Sequence, residues 1–104
     1  MIHYICSPYG DKTLEQKQIC RDYAKYLTRR MLLRGYYPIT PHLYITPCLD
    51  PDECEIGLEA AFELLKHCDA VLVGQRYGIN ERMAAEIKKA KQLKMPVFYY
   101  YDAE

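Results

Sequence analysis

The sequence predicts an α/β domain, a three-layer sandwich built on a four-stranded parallel sheet. Three observations lead there. Ala70-Val71-Leu72-Val73 is an unbroken apolar run closed by Gly74, the pattern of a strand covered on both faces. Segments of helical periodicity lie between each pair of strand-like runs, so consecutive strands pair in parallel through right-handed crossovers. At 104 residues the chain suffices for a single core and one domain spanning 1–104, near the lower end for such a sheet.

Ile2 to Cys6 is short and β-rich and forms the first strand. Ser7-Pro8-Tyr9-Gly10-Asp11 is dense in turn formers. Thr13 with Gln16 fits a capping box, and Ile19, Tyr23, Tyr26, Leu27 and Met31 recur at helical spacing, which predicts a long first helix to about Arg34. Gly35 is its stop, and Arg29, Arg30 and Arg34 suit the negative end of the helix dipole. Tyr36 to Thr40 is a second strand that Pro38 assigns to an edge.

Pro41-His42-Leu43-Tyr44 leaves that strand into an expected extended loop of about ten residues, a length that often goes with function. Asp50-Pro51-Asp52-Glu53 is a strong helix start. Cys54, Leu58, Ala61, Phe62 and Leu65 mark the apolar face of the helix that follows, which ends near His67. After the third strand, Asp69 to Gly74, comes a loop over Gln75 to Ile79. Asn80 is the N-cap of a helix from Glu81 to about Lys94. Pro96 to Tyr100 is the fourth strand and Asp102 to Glu104 a tail.

Fourteen basic and fourteen acidic residues give zero formal net charge, so no global field favours a nucleic-acid polymer or an anionic membrane. No apolar run approaches spanning length, and Met1 leads almost directly into a strand without a signal peptide, so the expectation is a cytoplasmic protein. Five cysteines, odd in number and without a C-x-x-C, argue for reduced thiols, and three scattered histidines show no ligand spacing, so neither a metal nor a cofactor is expected. Eleven tyrosines and no tryptophan fit core edges, pockets and interfaces equally.

In parallel α/β sheets ligands bind beyond the carboxyl ends of the strands. Three such loops converge here: Ser7-Pro8-Tyr9, Pro41-His42, and Gly74 through Met83. Together with Glu86 they offer a hydroxyl, a phenol, an imidazole, amides and a carboxylate, the make-up of a site for a small polar ligand with one aromatic face. Met83, Glu86 and Ala90 share one helical face that is partly inward. Glu86 there reads as a nucleophile or general base, or else as a rim residue paired with Lys88 or Lys89. Each other part has a plain reading too: Ser7-Pro8 as a turn, His42 as a cap on a backbone carbonyl, Tyr9 as a lid over the core. Neither G-x-G-x-x-G nor the Walker pattern occurs. The start of the last helix offers free amides to an anion, with Asn80 and Arg82 assisting and Glu81 opposing.

YICSPYGD at Tyr4 to Asp11, PITPHLY at Pro38 to Tyr44 and CDAVLVGQRYGINERMAAEI at Cys68 to Ile87 resemble a DUF4406-like family of small bacterial and phage proteins of uncharacterised function. That family is itself similar to the nucleoside 2-deoxyribosyltransferases. The resemblance implies a flavodoxin-like fold, homo-oligomers with shared sites, and Glu86 as a nucleophile at C1′ in a double displacement, with Tyr9 orienting it or covering the sugar. In the transferase pattern an Asp often stands six residues before the glutamate, where this chain has Asn80. In related 5′-nucleotide hydrolases a Ser there contacts phosphate, a role Asn80 would take. Arg82 occupies a spot that is often Gly, so its side chain either crowds the pocket or meets a phosphate.

The expectation is a nucleoside- or nucleotide-binding protein that cleaves or transfers the N-glycosidic bond through Glu86 and Tyr9, with Ser7, Pro8, His42, Gly74, Asn80, Arg82 and Met83 around the ligand. The rival is a non-catalytic nucleotide sensor or sequestering protein of phage or host origin, favoured by Asn80 and Arg82. A third reading is an interaction module whose Tyr99-Tyr100-Tyr101 segment packs across an oligomer interface.

Overall fold

The computed structural model describes residues 1–9 and 13–100. The expected Gly10-Asp11 turn, Tyr101 and the Asp102–Glu104 tail lie outside them. Strand β1 spans Ile2–Cys6, helix α1 Leu14–Leu33, strand β2 Tyr37–Ile39, the short helix α2 Pro41–Tyr44, helix α3 Cys54–Lys66, strand β3 Ala70–Gly74, helix α4 Glu81–Gln92 and strand β4 Val97–Tyr100.

All four strands pair in parallel, in the order β2-β1-β3-β4. The chain moves outward from β1 to β2, then returns across β1 to β3. The direction of winding therefore reverses between β1 and β3, and the carboxyl ends of those two strands flank the crevice where such sheets bind ligands. Every residue of β3 is buried, as its continuous apolar run requires of a strand covered on both faces.

Side-chain alternation divides the core between the two faces. Tyr4, Cys6, Val71 and Val73 point to one side, where Ala61 and Leu65 of α3 and Met83, Ile87 and Ala90 of α4 cover them. Ile5, Leu72 and Tyr100 point to the other, under Tyr23, Leu27 and Met31 of α1. Two helices on one face and one on the other complete the three layers. At the edge of the α1 face, Tyr100 is buried and its hydroxyl meets Tyr26 Oη at 3.2 Å and accepts from Arg30 Nε at 3.1 Å. Tyr100 is thus an internal packing residue, while its neighbour Tyr99 is exposed.

Local signals act where the sequence put them. Thr13 Oγ1 accepts from Gln16 N at 3.0 Å at the start of α1, and Gly35 leaves its end at φ +84° while Tyr36 N bonds Met31 O at 3.0 Å. Asn80 Oδ1 caps α4 by accepting from Met83 N at 2.8 Å. Pro38 sits in an edge strand, where its missing N–H costs no ladder bond.

Four expectations are corrected. The segment after β2 is not extended: α2 is followed by 3₁₀ turns at Thr46–Cys48 and Pro51–Glu53. Pro41, Pro47 and Pro51 each stand in a first turn, where their fixed φ presets helical geometry. The Asp50–Glu53 capping box does form, with Asp50 N donating to Glu53 Oε1 at 2.8 Å, but the turn it opens is 3₁₀ before α3 proper. Cys54 is exposed rather than inward. The buried ridge of α3 is Gly57, Ala61 and Leu65, spaced by one turn, and a Cβ at Gly57 would stand 3.0 Å from Leu49 Cδ1. Ile19 and Tyr26 are likewise exposed on α1, whose inward stripe is Cys20, Tyr23, Ala24, Leu27 and Met31.

Candidate functional site around Glu86

β1 and α4 together build the centre of the site. Tyr4 projects from the middle of β1 toward the α4 layer, and Glu86 projects from the second turn of α4 toward the sheet. The phenol donates to Glu86 Oε2 at 2.8 Å, and Glu86 is only 2% exposed. Its partner is Tyr4, and not Lys88, Lys89 or Tyr9. Two residues along β1, on the same face, the Cys6 thiol donates a weak bond to Met83 O at 3.7 Å and lies against the same carboxyl. Met83, Glu86 and Ala90 are all buried, in keeping with their shared helical face.

Burial pushes the Glu86 carboxyl above the usual carboxylate range, and the Tyr4 phenol, the Cys6 thiol and the Arg82 charge pull it partly back. Burial first, and the charge of Glu86 second, push both the phenol and the thiol up, so each keeps its proton and remains a donor. A buried carboxylate with a fixed donor and a nearby guanidinium is a strained charge, short of water and short of hydrogen bonds.

The loop after β1 forms the next layer. Ser7 and Pro8 are buried, and the Ser7 carbonyl accepts from His42 Nε2 at 2.8 Å. That bond places the imidazole proton on Nε2 and ties α2 to the end of β1. Burial pushes His42 down to about 4, so the ring is neutral near pH 7. The Tyr9 ring stacks on it, with centroids 5.5 Å apart and planes at 28°. Ser7 Oγ and His42 Nδ1 are buried with no partner among the described residues. Tyr9 also lines a cleft of about 550 Å³, within the usual range for small-molecule sites, together with Lys17, Arg82, the Thr46–Pro51 segment, Cys54 and Gly57. Arg82 stands on the wall of that cleft one helical turn before Glu86.

The sequence-predicted residues therefore divide. Glu86, Met83 and Arg82 lie on one face of α4, and Ser7, Pro8, Tyr9 and His42 form a packed unit beside the cleft. Asn80 is occupied as a helix cap. Gly74 faces the other layer: a Cβ there would collide with Leu27 Cδ1 and stand 2.8 Å from Tyr23 Oη, so this glycine admits α1 to the sheet and does not line the cleft. Sequence reasoning missed Tyr4, Cys6 and Lys17. Strand parity was the available signal for the first two, since Tyr4 and Cys6 share the face that α4 must cover.

The family model for a domain of unknown function, DUF7768, matches residues 1–100. The chain belongs to the DUF7768 family. No curated relative matches this DUF7768 protein. Among solved structures it is similar to the 2-deoxyribosyltransferase of the psychrotolerant bacterium Bacillus psychrosaccharolyticus, described as a biocatalyst for the synthesis of antiviral and antitumoral nucleosides. The two share 19% identity and superpose with a TM-score of 0.66 over 95% of this chain and 71% of that one. The DUF7768 domain thus has the 2-deoxyribosyltransferase fold. Among its described residues no helix is long and apolar enough to cross a membrane.

Proposed function

We propose that this domain binds a nucleoside or nucleotide in the cleft beside Glu86 and breaks its N-glycosidic bond. The observation that supports this most is the buried Glu86 carboxyl, held at 2.8 Å by Tyr4 at the point where the sheet reverses its winding. A Glu86 oxygen attacks C1′ as the bond from C1′ to the base nitrogen breaks. The base leaves with that electron pair and takes a proton from water. The resulting glycosyl ester is opened at C1′ by water, which surrenders a proton, or by a second base, and the carboxylate is restored. Only the ionised form attacks, so activity rises with pH through the elevated range of Glu86. Tyr4 is a positioning residue: its bond aims one oxygen and leaves the other for C1′. Tyr9 and the apolar wall of Pro47, Leu49 and Pro51 receive the base. The site works as a homo-oligomer in this reading, and the free thiols suit a reducing compartment such as the cytoplasm.

The test is a chromatographic assay of 2′-deoxynucleosides and their 5′-phosphates incubated with pure protein. Free base appears with wild type and not with Glu86→Ala, whose circular dichroism stays that of wild type. A wild-type protein that turns over nothing in the panel refutes catalysis. Binding without turnover is the second reading, favoured by the depth at which Glu86 lies behind Arg82. It is upheld by a nucleotide that raises the melting temperature with no product formed.

A further inference from the structure

We propose that the cleft selects its ligand by a phosphate, with Arg82 and Lys17 gripping the 5′-phosphate of a nucleoside monophosphate. The inference rests on the nucleoside reading above and narrows it to one substrate class.

Two cationic side chains, Lys17 and Arg82, line the cleft, and both are half-buried. Neither belongs to an ion pair among the described residues, where the pairs are Lys66–Glu63 and His67–Glu63. Arg82 Nε is moreover buried without an acceptor among the described residues. A guanidinium N–H withdrawn from water and left unbonded is costly, and native structures keep few of them.

Among the described residues, the acids nearby do not supply the missing acceptor. Asp50 lies on the cleft wall, but its carboxylate is engaged in the capping box with Glu53. Glu86 feels the Arg82 charge, yet its hydrogen bond is to Tyr4. His42 adds no charge near neutral pH, because burial keeps it unprotonated. Glu81, on the first turn of α4, is exposed.

Among the described residues, what remains is a cleft lined by two cations against one carboxylate, with a guanidinium Nε–H left unbonded. A phosphate matches it: compact, doubly charged near pH 7, and able to accept from Arg and Lys together. The spacing agrees. Arg82 and Glu86 are one turn apart, about 6 Å along the helix axis, comparable with the separation of a 5′-phosphate from C1′ across one sugar ring. A ligand anchored at Arg82 and Lys17 thus presents its anomeric carbon toward Glu86.

The test is titration calorimetry of the whole chain with 2′-deoxynucleosides, the matching 5′-monophosphates and inorganic phosphate, at low and moderate salt. The monophosphates bind about 10- to 100-fold more tightly than the nucleosides, as expected for hydrogen bonds to charged groups. That preference shrinks with added salt. It falls most of the way to parity in Lys17→Gln and in Arg82→Gln. Inorganic phosphate competes with the monophosphates. Should Arg82→Gln not fold, Lys17→Gln decides alone. Equal affinity for nucleoside and monophosphate, or a preference untouched by both substitutions, overturns this inference and leaves the nucleoside reading standing. No binding by either form overturns both.

Discussion

Tyr4→Phe isolates the contact on which the site is built. The substitution removes one hydroxyl from a side chain that is 1% exposed and leaves the ring in place, so packing is almost unchanged. What is lost is the 2.8 Å bond to Glu86. A hydrogen bond to a charged group contributes about 1.5–3 kcal/mol, against about 1 kcal/mol for a neutral pair. The cost therefore depends on whether Glu86 is ionised. Burial already places its folded-state titration above the unfolded one, and loss of the phenol raises it further. Above that folded value the variant holds a buried carboxylate that has lost its donor, and the destabilisation is about 1.5–3 kcal/mol. Well below it both proteins carry a neutral carboxyl and the difference falls to about 1 kcal/mol. Thermal unfolding followed by circular dichroism at several pH values reads this directly, at about 4–8 °C for each kcal/mol in a domain of this size. A double-mutant cycle with Glu86→Gln assigns the pH-dependent part to the pair. A Tyr4→Phe deficit that is flat across pH, or that persists undiminished in the Glu86→Gln background, refutes the claim that this bond steadies a charged Glu86.

Other outcomes follow from the same geometry. Because the Glu86 titration is raised on folding, its favourable contribution is present below the unfolded value and is lost as pH rises through the folded one; Glu86→Gln removes that loss, so the variant gains on wild type as pH increases in unfolding experiments. His42 is the opposite case. Its folded value of about 4 lies under the unfolded 6.5, so stability is full above 6.5 and falls by roughly 3 kcal/mol as pH drops through that window. His42→Gln flattens this acid limb, and an unchanged limb in denaturant titrations at pH 4 to 7 contradicts the buried neutral ring. Gly74→Ala forces a methyl against Leu27 and Tyr23 and lowers stability by about 1–3 kcal/mol, with ligand affinity unaltered in calorimetry because the methyl faces α1.

The order of strands and helices was legible in the sequence because its signals are local. An apolar run buried on both faces, a threonine or asparagine with a helix former three residues on, a glycine past the last turn: each acts within a few residues, and each reappears at β3, Thr13, Asn80 and Gly35. The helical face of Glu86 was legible too, since Met83 and Ala90 define it, but spacing alone allowed the carboxyl either an inward place or a rim place beside Lys88 or Lys89. Where the signal was local but ambiguous, as in the proline-rich stretch after β2, the reading as extended chain gave way to short helical turns.

What the sequence by itself determined is therefore which segments become strands and helices and which face of α4 carries Met83, Glu86 and Ala90. What only the tertiary structure decided is that the Glu86 carboxyl turns inward and not to the rim, and who meets it. Tyr4 and Glu86 are 82 residues apart, and their bond exists because β1 pairs with β3 while α4 packs across both. The same holds for Gly74, whose small size serves α1 and not the cleft, and for Lys17 and Arg82, which share a wall from two helices. The physical reason is one of range. Backbone propensity and capping are settled within a turn or two of chain, whereas a buried charge finds its donor only after sheet register and helix packing have fixed both in space.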